Sequence, residues 1–420
     1  MAASDPVNIC LVGVSTFDPV NICLVGVSNF AESHAAAIVQ MEAEGLGRLA
    51  CAVVRRPAKY AEAVARYRER GVRVYECFGE MLDGERGRTE LIALPVAIPD
   101  HSEMSVAAME AGYDVLCEKP PAATIEQIDA MIATSERTGR ACCIGFQNQS
   151  KNTVRGLKRA ICEGKLGVIE HIEVMATWVR LETYYERNAW AGKLIYEGKY
   201  CLDGPLTNAL AHYLFNALYW ASPVWREAAQ PARVRAEIHH AHPIESDDCC
   251  AVKLETVDGV QVTYLVTLAA WEDIGPLSKV HGTKGWAEWS MSGPAVLHLG
   301  DGATEVIEAD GQAEHHEVFR NMIRHMRLGE ELNCPVAMTR PFQVAMNAAF
   351  ESNGRPEQIP AEYVTREPRE GTIFTAISGI TEIVRQGYEE AKTFSELGVL
   401  WAKATPWVAT REYEAFRPGF

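Results

Sequence analysis

The residues Gly26-Val27-Ser28-Asn29-Phe30-Ala31 follow an apolar run, VNICLV, and precede an alanine-rich stretch, AESHAAAIVQMEAEG. A strand, a tight turn and a helix start in that order can hold a phosphate. The first N–H groups of the helix are unpaired, and its N-terminus carries partial positive charge. The turn is a degraded GxGxxG. Gly26 permits the tight turn, Ala31 substitutes where helix packs on strand, and Ser28 stands where a glycine normally lets a pyrophosphate approach the backbone. Its hydroxyl can still donate to a phosphate oxygen, and Asn29 and Phe30 complete the turn. The next apolar run ends Val54-Arg55-Arg56, where an NAD site usually has an acidic residue for the ribose hydroxyls. Guanidinium groups suit a 2′-phosphate, which favours NADP over NAD. Two solvated arginines at a helix start is the other reading.

The phrase DPVNICLVGVS-x-F occurs twice in succession, with Thr16 in the first copy and Asn29 in the second. After the first copy comes Asp18-Pro19, and a proline biases its predecessor away from helix. After the second comes a good helix former with Gly45 as a C-cap. Only the second copy has the strand, turn and helix that a phosphate site needs. The first is expected to be a non-functional extension.

Other residues invite different chemistry. His239, His240 and His242, or His315 and His316, suggest a metal, but no carboxylate or cysteine at ligand spacing completes a set, and none is expected. The twelve cysteines are scattered, with adjacent pairs at Cys142-Cys143 and Cys249-Cys250 and no CxxC knuckle, so they read as buried thiols in a reducing cytoplasm. Gln147 and Asn148, after the sixth apolar run, are in place to reach substrate hydroxyls or simply to be solvated.

The elements that must position these residues alternate from Val20 to about Phe146. VNICLV, LACAVV, VRVY, ELIALPV, DVLCEK and ACCIGF are separated by helical patterns. Short apolar runs without alternation are strands buried on both faces, and their repetition with helices builds a doubly wound parallel sheet. After Gly145 the runs lengthen and alternate: VIEHIEVMATWVR, RVRAEIHH, CCAVKLETV, VQVTYLVTLAAW, SKVHGT and GWAEWSM. These predict a largely antiparallel sheet, with helices near 154–164, 315–328, 342–351 and 372–390. The expected organisation is an extension over 1–17, a Rossmann domain over 18–146 and an α+β domain over 147–420. The tail from Ala402 reads as an ordered wrap or a partner contact.

With 420 residues, 48% hydrophobic and 23% charged, the chain has an ordinary globular composition. A net charge of −16 argues against nucleic acid as a partner. No apolar run is long enough to cross a bilayer, and no signal peptide is expected.

Three stretches carry a resemblance. VNICLVGVSNFAESH has the form G-x-[GS]-x-x-[GA]-x-x-H, IPDHSEMSVAAMEAGYDVLCEKP is similar to a segment ending E-K-P, and DGPLTNALAHYLFNALYW is similar to G-G-x-x-x-[DN]-x-x-x-H…W. Together they resemble the Gfo/Idh/MocA family, named for glucose–fructose oxidoreductase and inositol dehydrogenase, from Val20 to about Leu400. The resemblance implies a two-domain NAD(P)-dependent oxidoreductase acting on sugars, inositols or related polyols. It carries to Lys119 of the E-K-P motif, to His212, and to Asn208 four residues earlier. With Asn208 and His212 on one helix, i and i+4 would share a face. His212 is then the expected acid/base, with Lys119 orienting the substrate hydroxyl and Glu118 and Pro120 placing the lysine. Asp203, Asn208 and Gln147 join Lys119 and His212 as expected substrate contacts, and Pro99, Asp100, His101, Glu118 and Lys119 are expected cofactor contacts. Here Asn208 replaces the aspartate of many members, and Ile98-Pro99-Asp100-His101 departs from the usual Thr-Pro-Asn start.

Two other readings stay open: a glycoside-cleaving enzyme that keeps its nucleotide and oxidises transiently, and a binding protein that senses nucleotide or sugar without chemistry. The resemblance also implies a homodimer or homotetramer, for which the apolar VTYLVTLAAW would serve as a contact.

Overall fold

The computed structural model describes residues 17–311 and 314–420. Residues 5–16 of the first repeated phrase lie outside the described residues. The first layer system comprises β1 (Val20–Val25), α1 (Phe30–Ala43), β2 (Gly47–Val53), α2 (Ala61–Glu69), β3 (Arg73–Tyr75), α3 (Phe78–Gly84), β4 (Leu91–Leu94), α4 (His101–Glu110), β5 (Asp114–Cys117), α5 (Ile125–Thr138) and β6 (Cys142–Ile144). All six strands are parallel and ordered β3-β2-β1-β4-β5-β6. The order reverses beside β1, and ligands of such sheets sit at the carboxyl ends of the strands at that switch point. β1, β4 and β5 are almost wholly buried, because helices cover both faces.

The second part continues through α6 (Asn152–Cys162), β7 (Ile169–Val179), α7 (Glu182–Tyr185), β8 (Ile195–Tyr196), β9 (Lys199–Tyr200) and α8 (Ala211–Ala221). Then come β10 (Pro231–His240), β11 (Cys249–Thr256), β12 (Gln261–Thr267), β13 (Ala269–Gly282), β14 (Gly285–Ser290), β15 (Ala295–Leu299) and β16 (Thr304–Ile307). The last elements are α9 (Glu314–Leu328), α10 (Arg340–Asn353), β17 (Glu357–Gln358), β18 (Val364–Arg369), β19 (Thr372–Ile377), α11 (Ile380–Glu390) and β20 (Val408–Ala409). The large sheet runs β16-β15-β14-β13-β7-β12-β11-β10-β17, with β20 on β10. It is antiparallel except where β7 meets β12 and β10 meets β17. One face packs on α8 and the other on α11.

Three expectations are corrected here. Thr372–Glu390 is not one helix: Thr372–Ile377 is a strand, and α11 starts only at Ile380. The stretch TIFTAI is rich in β-branched and aromatic residues, and Glu370 and Gly371, both with positive φ, close a hairpin to β18. Asn208 and His212 do not share one α-helix either. Pro205–Ala209 forms a π-turn, and α8 begins after Leu210. Finally, VTYLVTLAAW is consumed within the chain: Tyr264 and Val266 pack toward α8 while Leu265, Ala269 and Ala270 lie under α11. Of its large apolar side chains only Trp271 stays exposed.

Several contacts join the two parts. Arg320 of α9 pairs with Glu44 after α1 at 2.5 Å, and Arg340 of α10 forms a two-pronged pair with Asp129 of α5 at 2.7 and 2.9 Å. The tail returns to the first domain, where the Phe416 N–H donates to Glu126 at 3.0 Å. No helix among the described residues is long and apolar enough to cross a membrane.

The π-turn rests on Gly204. A Cβ there would lie 1.9 Å from Asp247 Oδ1, and Asp247 is buried and receives the Leu206 N–H at 3.1 Å. Both Asp247 oxygens already accept a hydrogen bond, Oδ2 from the Leu206 N–H and Oδ1 from the Ser246 hydroxyl. Gly204→Ala is therefore expected to lower the denaturation midpoint, by roughly 1–3 kcal/mol of stability. A urea melt matching the wild type would show that the turn is not under this constraint.

Candidate active site

The E-K-P motif follows the carboxyl end of β5, with Glu118 turned into the first part and Lys119 toward the second. Glu118 is buried and accepts from His34 of α1, with Nε2 2.9 Å from Oε1. Its other oxygen receives the Lys119 N–H at 3.1 Å. Gly145 packs against this carboxylate so closely that a Cβ would be 2.5 Å from Oε1. Burial pushes the Glu118 carboxyl up, but the hydrogen bond and charge of His34, and the nearby Lys119, outweigh it and hold it below the ordinary value.

Lys119 crosses the cleft. Its Nζ donates to Asn208 Oδ1 at 2.6 Å and to the Asn208 carbonyl at 2.8 Å. Both acceptors are offered together because the π-turn exposes a backbone carbonyl that an α-helix would have used. Burial lowers the lysine's pKa, and Glu118 and Asp203 oppose that shift only partly. Asn208 is aimed by Asp203, whose Oδ1 accepts from Asn208 Nδ2 at 2.6 Å. The other Asp203 oxygen takes Arg187 at 2.7 Å and the Gly192 N–H at 2.8 Å. Arg187 in turn lies over the rings of Tyr184 and Trp190.

His212 sits in the first turn of α8 and is buried against the Phe146 ring edge, 5.5 Å between centroids. Burial, followed by the positive charge of Lys119, drives its pKa well below the ordinary imidazole value. It is a neutral ring at neutral pH, able to take a proton. Its Nδ1 is buried without a hydrogen-bond partner, as are Gln147 Oε1 and Asn148 Nδ2 at the end of β6. Buried polar atoms are rarely left unpaired, and these three lie on or beside the elements that meet at Phe146.

At the switch point, Gly26 has φ +109 and its Cβ position faces Ala31 at 3.4 Å. Asn29 also takes positive φ and caps α1 without a side-chain hydrogen bond, while the Ala31 and Glu32 N–H groups turn back on the Ser28 and Asn29 carbonyls at 3.3 and 3.0 Å. The Ser28 hydroxyl donates to Tyr60 Oη at 3.3 Å. The Phe30 ring is 5.7 Å from that of His34 and 5.2 Å from that of His315. Arg55 and Arg56 are exposed just after β2, and no ion pair or hydrogen bond engages their side chains among the described residues. The open turn and the orphaned polar atoms beyond β6 together fit a dinucleotide laid from the β1 turn to the E-K-P motif.

Other expected contacts have different partners. Pro99 is buried, and Asp100 pairs with Lys199 at 3.5 Å. The ring nitrogens of His101 lie 2.7 Å from the Pro120 carbonyl and 3.1 Å from that of Val96. None of its nitrogens is left for a cofactor, and the ring instead braces the backbone after Lys119. Asp203 likewise has its carboxylate taken and acts on Asn208. Of the histidines that suggested a metal, His242 bonds Asp248 at 2.7 Å and His239 packs on Trp401. Sequence reasoning missed Tyr60 and Arg187, and considered His315 only for a metal. It also overlooked His34, although the histidine closing G-x-[GS]-x-x-[GA]-x-x-H was its signal.

A six-stranded dinucleotide-binding sheet, facing a mixed sheet across a cleft with a buried lysine and a neutral histidine, defines a two-domain oxidoreductase fold. Sequence models of the oxidoreductase family with an NAD-binding Rossmann fold and of the GFO/IDH/MocA C-terminal domain match residues 20–146 and 154–288. The chain belongs to the Gfo/Idh/MocA family. It is 27% identical over 237 residues to inositol 2-dehydrogenase 1 of Saccharopolyspora erythraea, covering 54% of this chain and 63% of that one. It is 36% identical over 69 residues to D-glucoside 3-dehydrogenase of Escherichia coli, covering 16% and 20%. In both alignments it spans less than two thirds of the relative's length. Among solved structures, the WlbA dehydrogenase from Bordetella pertussis, in complex with NADH and UDP-GlcNAcA, has a TM-score of 0.64 at 22% identity, covering 79% of this chain and 95% of that one. A levoglucosan dehydrogenase in complex with NADH has a TM-score of 0.68 at 16% identity, covering 79% and 96%. At those identities the likeness is one of fold.

The Glu118–His34 bond ties the phosphate helix to the lysine, and its loss should be measurable. Because the folded carboxyl lies below its ordinary value, its stabilising contribution is present above about pH 4.5. That contribution disappears as pH falls through the folded value. Glu118→Gln is expected to cost about 1–3 kcal/mol at pH 7, with the gap to wild type narrowing in acid. Urea melts at pH 7 and pH 4 check this. A gap independent of pH would mean that the charge of Glu118 does not stabilise the fold.

Proposed function

We propose that the protein is an NAD(P)-dependent dehydrogenase or reductase that moves hydride between the nicotinamide cofactor and a hydroxyl or keto carbon of a sugar, inositol or related polyol. The observation that carries this reading is the buried Lys119 ammonium, held by Asn208 beside the neutral His212. The named activities of the relatives and the NADH in the structural neighbours support it.

Oxidising a secondary alcohol removes hydride from carbon and a proton from oxygen. The cofactor, when bound, supplies the hydride acceptor. Two of the three Lys119 N–H groups are taken by Asn208, which leaves one to orient the substrate oxygen. His212, uncharged because it is buried beside that ammonium, accepts the hydroxyl proton and returns it in the reverse direction. Gln147 and Asn148, with unpaired polar atoms, are suited to the carboxamide of the cofactor or to neighbouring hydroxyls. Asp203 and Arg187 position Asn208 rather than touch substrate.

NADP is favoured over NAD because β2 ends in two unpaired arginines. A homodimer or homotetramer is the proposed assembly, using surfaces other than VTYLVTLAAW. A cytoplasmic location is part of the same proposal, and the eleven cysteines among the described residues, all free, suit a reducing compartment.

A screen of polyols and sugars with Lys119→Ala and His212→Ala tests the chemistry. Each substitution is expected to lower kcat by about 10²–10⁴-fold while cofactor binding persists. Turnover within a few-fold of wild type in both variants would remove them from the reaction. Parallel fluorescence titrations with NADPH and NADH test the cofactor. Tighter NADPH binding that is lost in Arg55→Ala/Arg56→Ala supports the assignment to NADP, whereas preference for NADH overturns it.

A further inference from the structure

Along β7, Ile172 and Val174 point into the core shared with α8, whereas Met175 packs under α11. Side chains alternate along a strand, so His171 and Glu173 lie on the α11 face, away from α8 and His212. Directly opposite His171 on β13 is His281. The two imidazoles stack at 4.4 Å with planes 23° apart, and Trp286 of β14 stacks beyond His281 at 6.2 Å.

Glu173 is only 4% exposed. The residue opposite it is Lys279, the natural cross-strand partner, but that ammonium lies over the Tyr388 ring, 5.3 Å from its centroid. The buried carboxylate is left facing two imidazoles. Its Oε2 is 3.1 Å from His281 Nε2 and its Oε1 3.9 Å from His171 Nε2. The shorter separation is within ion-pair reach but out of line for a hydrogen bond, so Oε2 stays buried and unpartnered. A buried carboxylate without a cation is costly.

We infer that His171, Glu173 and His281 form a site for one divalent transition-metal ion of the zinc class. Two imidazoles and a carboxylate are the three-ligand set of an open zinc site. The side chains of His171 and His281 are 46% and 32% exposed, so water reaches the fourth position. The donor atoms already lie within 4.8 Å of one another. Tetrahedral zinc would draw them to roughly 3.3 Å, which requires the two imidazoles to swing out of their stacked planes while the paired strands keep their register. The site lies on the other side of the sheet from the cleft, and the ion would pin β7 to β13 rather than take part in hydride transfer.

The test uses the full chain after chelator treatment. Co²⁺ is titrated with its visible absorption followed, and Zn²⁺ is titrated in competition with a chromophoric chelator. The expected result is one equivalent bound by wild type, with affinity lowered at least tenfold in His281→Ala and in Glu173→Gln, both first shown to be native by circular dichroism. If His281→Ala does not fold, His171→Ala, at the more exposed ring, replaces it. No saturable binding by wild type, or one equivalent bound equally well by the variants, would overturn the assignment.

Discussion

The organisation of this protein depends on a lysine ammonium held out of water between two domains. Lys119 leaves the end of a parallel strand in one domain and is received by a single asparagine of the other, through both its side-chain and backbone oxygens. A buried ammonium needs such acceptors, because desolvation otherwise drives it to its neutral form. Asn208 cannot meet that need unaided. Its amide is turned by Asp203, and Asp203 is held by Arg187 and the Gly192 N–H. A loop otherwise lacking long elements is thereby fixed to the cleft through four hydrogen-bonded groups in series.

A second chain of bonds runs the other way. Glu118 receives His34 from the helix behind the phosphate turn, and Gly145 leaves just enough space for its carboxylate. The cofactor turn and the lysine are therefore not independent features of the Rossmann sheet. A shift of α1 moves Glu118, and through it the backbone of Lys119. Across the site an imidazole bonds a carboxylate, the carboxylate lies beside an ammonium, and beyond it stands a histidine kept neutral first by burial and then by that ammonium.

The cleft between the domains is held by more than this contact. Arg320 and Arg340 reach from the second domain to acidic residues of the first, and the C-terminal chain returns to bond Glu126. Pairs of this kind, partly exposed, are each worth little. Together with a hydrophobic core that runs continuously from β1 to α8, they keep the two halves of the site in register.

Much of this was legible in the residues alone. Six short apolar runs, each followed by helical pattern, are sufficient for a doubly wound sheet, because strands buried on both faces and joined by helices have few other solutions. Long alternating runs were likewise enough for the mixed sheet. The E-K-P lysine and His212 stood out through resemblance, and the fold places them near one another. What local pattern misjudged was set by contacts distant in sequence. TIFTAI pairs with β18 instead of extending the helix that follows it. The π-turn before His212 is shaped by Asp247, some forty residues on, pressing against Gly204. His101 and Asp203 have the residue types of ligand contacts, but tertiary neighbours occupy their polar atoms first. The cluster of His171, Glu173 and His281 could not be read from spacing, since it exists only because β13 lies against β7 in one register. Sequence determined the elements and the reactive side chains by periodicity and residue type. Tertiary structure decided which polar atoms are already satisfied and which remain free for a ligand, because hydrogen bonding depends on distance in space and not along the chain.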